Sequence, residues 1–68
     1  MNAIELKAKI VEKKISVAMI SDLMNVHESS LYRKINGCEE LTVQEVIRLK
    51  EILDLTNDEA SDIFLSKE

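Results

Sequence analysis

The stretch spanning residues 16–37 reads S-V-A-M-I-S-D-L-M-N-V-H-E-S-S-L-Y-R-K-I-N-G, and it leaves few folds open. Ile20, Leu23 and Met24 recur at three- and four-residue spacing and give one helix a buried stripe. Leu31 and Ile35, four apart, do the same for a second helix. Between them, Asn25-Val26-His27 has room only for a turn. Asn25 is the non-glycine type that best tolerates a left-handed backbone at a helix end, and Val26 is a lone apolar residue that can plug the angle between two helices. The pattern predicts a helix-turn-helix. Helices joined by so short a turn cross at a wide angle, so the second presents its outer face away from the core.

The flanking sequence supplies the rest of an all-α, compact five-helix domain over residues 1–68. A first helix is expected over residues 3–14, with Ile4, Ala8, Val11 and Ile15 along one face and Leu6 and Ile10 widening it. Lys13 and Lys14 fall in its last turn, where cations suit either the helix dipole or a phosphate. Ser16 caps the second helix, residues 17–24. The third runs from residue 28 to about 36 and stops at Gly37, the only glycine, ahead of a loop through Cys38, Glu39 and Glu40. Thr42-Val43-Gln44-Glu45 is a capping box opening a fourth helix, with Val46, Ile47, Leu49, Ile52 and Leu53 as its apolar face and Leu41 stapled onto Val46. Thr56-Asn57-Asp58-Glu59 repeats the device, so a fifth helix starts near Asn57 and buries Ala60, Ile63 and Phe64 before fraying at Ser66-Lys67-Glu68. There is no proline, no strand-like alternation and no internal repeat.

At 68 residues the chain is one domain, near the lower limit for a core without staples. With one Phe, one Tyr and no Trp, that core must be aliphatic. The 46% apolar content is too high for a disordered tail. Cys38 is the only cysteine, which rules out an internal disulfide, and with the single His27 it makes no zinc set, so no metal or cofactor is expected. A lone thiol, together with the lack of a signal peptide or apolar span, points to a cytoplasmic protein without a membrane partner. No glycine-rich phosphate loop or nucleophile constellation is present, and so small a domain has little room for a substrate pocket; neither an enzyme nor a small-molecule substrate is expected.

The net charge of −4 argues at first sight against a nucleic-acid ligand. Its distribution softens the objection. Residues 1–37 carry six Lys/Arg against four Asp/Glu, and residues 38–68 carry three against nine. A basic half containing the helix-turn-helix would orient the domain toward DNA.

From about residue 3 to 64, and most specifically over residues 15–37 and the following L-T-V-Q-E-V-I-R-L-K-E-I-L-D-L-T, the chain resembles the phage Cro and repressor type, or XRE-like, family. That resemblance implies a transcriptional regulator that binds operator DNA, commonly as a dimer, through its third helix. It places base-reading positions at Glu28, Ser29 and Arg33, with Tyr32 beside them, and a backbone-phosphate position at Asn36. Ser21 matches the family's small residue and Val26 its turn hydrophobe. Three positions depart from the pattern: Asn25 replaces a turn glycine, His27 a capping serine, and Val17 a phosphate-bracing glutamine, which removes that contact.

The side chains can be weighed on their own chemistry. Arg33 has the planar fork that fits guanine O6 and N7. Glu28 can accept from cytosine N4 or simply stabilise the helix dipole. Ser29 can donate to a base or phosphate, and Tyr32 can meet a thymine methyl or cover the core. Ser16, His27, Lys34 and Asn36 are the phosphate candidates, and each also fits a plain surface or capping role. Ile63, Phe64 and Leu65 are three consecutive apolar residues on the last helix, candidates for a homodimer face or, for the first two, for packing under the first helix. The alternative function is a protein-interaction module, antitoxin-like or anti-repressor-like, that keeps the fold with weak or no DNA binding.

Overall fold

The computed structural model describes residues 1–65, and the expected fraying at 66–68 lies outside them. Five helices follow one another: α1 (Ala3–Glu12), α2 (Val17–Met24), α3 (Glu28–Ile35), α4 (Val43–Ile52) and α5 (Asn57–Phe64). No strand is present among the described residues, and no helix there is long and apolar enough to cross a membrane. The helix α2 packs on α3 and α4, while α1 packs on α3 and α5. The core where they meet is aliphatic: Leu6, Ile10, Ile20, Leu31, Ile35, Leu49, Leu53, Leu55 and Ile63.

Four of the five helices start on a side chain that satisfies an otherwise orphaned N–H. Asn2, Ser16, Thr42 and Thr56 accept from the backbone N–H of Glu5, Met19, Glu45 and Glu59. His27 opens α3 with no side-chain cap bond. Both capping boxes form as the sequence predicts. Asn2 has a second role, since its own N–H donates to the Ile63 carbonyl at 2.7 Å and ties the start of α1 to α5.

The first four helices also end alike. Lys14, Asn25, Gly37 and Asp54 adopt φ of 57°, 56°, 84° and 51°. In each case the next N–H reaches back five residues: Ile15 to Ile10, Val26 to Ser21, Cys38 to Arg33 and Leu55 to Lys50. Ile15, Val26 and Leu55 then turn into the core, so the bend that stops a helix also delivers an apolar side chain. A Cβ added at Gly37 would meet nothing within 4 Å, so its backbone angle alone selects glycine.

Several expectations for burial are corrected. On α1 the buried pair is Leu6 and Ile10, while Ile4 and Val11 are 80% and 76% exposed. Leu6 and Ile10 pack into the core against α3 and α5, which leaves the Ile4 and Val11 side outward. The helix stops at Glu12 rather than residue 14, because Lys14 is left-handed. Leu23 on α2 and Ile47 on α4 are about half exposed, so their stripes are narrower than the spacing implied.

Asp54 is an acid at the negative end of α4, held in a conformation that disfavours side chains. Left-handed backbone costs roughly 1–2 kcal/mol for an L-residue, with Asp at the low end because its short polar side chain can bond locally, and the dipole clash adds about 0.3–1. Glycine returns roughly 0.5–1 through its looser unfolded chain. Asp54→Gly is therefore expected to stabilise the domain by about 1 kcal/mol and raise Tm by roughly 4–8 °C, read from thermal melts by circular dichroism. An unchanged or lowered Tm would count against this ordering of terms.

Candidate nucleic-acid interface

The turn between α2 and α3 is built from the residues the sequence singled out. Asn25 sits in the left-handed region at φ 56°, ψ 46°. Val26 packs against the core and His27 begins α3 in extended backbone. Ser21 is buried, its hydroxyl donating to the Ala18 carbonyl at 2.7 Å. On α3, Leu31 and Ile35 face inward and are buried, whereas Glu28, Ser29, Tyr32, Arg33 and the following Asn36 are all exposed. Positions 28, 29, 32, 33 and 36 lie on one face at helical spacing. All four base-reading candidates thus share one outward stripe with one phosphate candidate.

The electrostatics of that stripe were not evident from the sequence. The Arg33 Nε sits 2.7 Å from Glu39 Oε1, with both side chains about half exposed. The Lys34 Nζ lies 2.6 Å from Glu45 Oε2, and here both side chains are less than a fifth exposed. The phosphate role expected for Lys34 is corrected accordingly: its ammonium is turned inward and bonded to α4. Ser16 remains exposed, but its hydroxyl oxygen already accepts from Met19.

Glu45 has two duties. Its Oε1 accepts from the Thr42 N–H at 2.8 Å, while Oε2 takes Lys34. Glu59 is built the same way: Oε1 accepts from the Thr56 N–H at 2.9 Å and Oε2 from Lys9 at 2.6 Å. One carboxylate per box both caps a helix and fastens it to an earlier one. For Glu45, burial pushes the pKa up, but Lys34 and the Thr42 N–H outweigh it and the net shift is downward. For Glu59, Lys9 first and then the Thr56 N–H pull the pKa down to about 2. Lys9 in turn is held above its ordinary range by Glu59 first and then Glu12. Neither box requires a nucleic acid for its explanation.

Of the six cations in residues 1–37, Lys9, Arg33 and Lys34 are ion-paired, while Lys7, Lys13 and Lys14 have no ion pair among the described residues. Beside α3, a surface groove of about 340 Å³ is lined by Lys7, Val11, Val17, Tyr32 and Asn36 over the tops of Ile10 and Ile35. Tyr32 therefore borders both the outward stripe and this groove. At the far end of the chain, Ile63 is fully buried and cannot meet a partner, which corrects its place among the dimer candidates. Phe64 packs against the same core, and only Leu65 stands free at 77% exposure.

No protein-family model, curated protein sequence or solved structure matches this chain.

Proposed function

We propose that the domain is a sequence-specific transcriptional regulator of the Cro/repressor helix-turn-helix type, binding double-stranded operator DNA with α3 in the major groove. The observation that carries this reading is the single exposed face of Glu28, Ser29, Tyr32, Arg33 and Asn36, projected by a three-residue turn and backed by buried Leu31 and Ile35. Arg33 is the principal base reader. To reach a guanine it must leave Glu39, and magnitudes decide that exchange: a half-exposed surface ion pair is worth about 0–1 kcal/mol, against roughly 1–3 for a bidentate guanine contact. Phosphate contacts fall to Lys13 and Lys14 rather than to Lys34.

Fluorescence anisotropy against mixed and selected duplexes across a salt series tests this. With two or three phosphates neutralised per domain, log K should fall against log salt with a slope of about −2 to −3. Arg33→Ala should weaken the selected site by on the order of 10- to 100-fold. A second reading, a protein-interaction module, is favoured by one observation: Arg33 and Lys34 both engage carboxylates of this chain while Glu28 stands exposed at the tip of α3. Absence of binding at about 50 mM salt would overturn the first reading in favour of the second.

A further inference from the structure

The helix α1 is apolar on two opposite sides. Leu6 and Ile10 fill the core, while Ile4, Ala8 and Val11, spaced at four and three residues, form a second stripe facing solvent. Ile4 and Val11 are 80% and 76% exposed, and Val11 carries the stripe on toward the groove beside Val17 and Tyr32. The stripe is flanked by opposite charges. At 100° per residue, Lys7 falls on one side of it, and Glu5 and Glu12 fall on the other.

We propose that this face binds the same face of a second copy, with the two α1 helices side by side and parallel. Charge complementarity selects both the occupant and the direction. A two-fold axis parallel to the helices brings the Lys7 flank of one copy against the acidic flank of the other, and does so twice. An antiparallel arrangement would instead set Lys7 against Lys7 and acid against acid. In the parallel arrangement Lys7 meets Glu12 of the other copy, five residues further along, the offset at which flanking charges pair in parallel coiled helices. Glu12 is available for this: its side chain is 60% exposed, and Lys9 occupies only Oε2. Ile4, Ala8 and Val11 supply the apolar seam. Three residues on so short a helix bury less than a standard interface, so the dimer is weak and concentration-dependent.

Sedimentation equilibrium of the full chain without DNA, at concentrations up to about 1 mM, is the test, and its outcome is independent of the duplex titration. Wild type should show a concentration-dependent monomer–dimer equilibrium. Ile4→Asp and Val11→Asp should each give a monomer. Lys7→Glu and Glu12→Lys should each raise the dimer Kd about tenfold, because each places like charges on both flanks. The double variant Lys7→Glu/Glu12→Lys, which restores opposite flanks, should recover the wild-type Kd. The four substituted positions, Ile4, Lys7, Val11 and Glu12, are all exposed, and helicity by circular dichroism verifies that each variant is folded. A concentration-independent monomer mass for wild type, a dimer that survives Ile4→Asp and Val11→Asp, or a double variant no tighter than the single ones would overturn the proposal.

Discussion

Leu31→Ala is expected to cost about 3–5 kcal/mol of folding stability, a large share of what a domain of this size possesses. Leu31 is fully buried on the inner side of α3, where it meets the core that α1 and α2 also fill. Truncation removes its transfer energy and leaves a cavity that short, capped helices cannot close by sliding. At roughly 0.05–0.15 kcal/mol per residue, the whole domain holds on the order of 3–10 kcal/mol, so the variant's urea midpoint should fall by about a third or more. Leu23→Ala is the control. Periodicity places Leu23 in the buried stripe of α2, but it is 48% exposed, and its removal should cost less than about 1 kcal/mol. Urea titrations of both variants decide the matter. Equal losses would mean that the inward faces of α2 and α3 are wrongly assigned.

The second large effect concerns Glu45. Glu45→Ala deletes an acceptor for the Thr42 N–H and strands the Lys34 ammonium, whose side chain is only 19% exposed. Hydrogen bonds to charged groups are worth about 1.5–3 kcal/mol each when broken one-sidedly, and a loss in that range is expected. Glu45→Gln keeps the capping geometry without the charge and should fall between. Acid probes the same device at Glu59. Its folded pKa of about 2 lies below the ordinary value of 4.5, so its contribution is complete above about pH 4.5 and is lost as pH falls toward 2. A Glu59→Gln variant should show a flatter stability profile across that window. Chemical denaturation at stepped pH reads both effects, and a Glu45→Ala variant as stable as wild type would remove the carboxylate's double role.

These contrasts show where the sequence was readable. Helix starts were legible because capping is local: Ser16, Thr42 and Thr56 each meet a partner three residues on. The turn was legible for the same reason, Asn25 and Gly37 being the residue types that adopt left-handed backbone at little cost. Lys14 and Asp54 take that conformation too; Asp is a type that tolerates it, but nothing in the type of Lys14 signals it. The inward side of α1 was not legible, since Ile4-Ala8-Val11 and Leu6-Ile10 satisfy the helical period equally and only packing against the distant α3 and α5 separates them. On the exposed side of α3, the outward placement of Arg33 followed from spacing, but its pairing with Glu39 and the capture of Lys34 by Glu45 depend on how the loop before α4 returns.

The four left-handed helix ends bear on how quickly this molecule assembles. Each connection is three to seven residues long and closed by hydrogen bonds between near neighbours, so little chain entropy is surrendered before contacts form. Chains dominated by such local contacts reach the native state in microseconds to milliseconds. With no proline anywhere, no peptide-bond isomerisation stands in the way, and refolding should proceed in a single fast exponential.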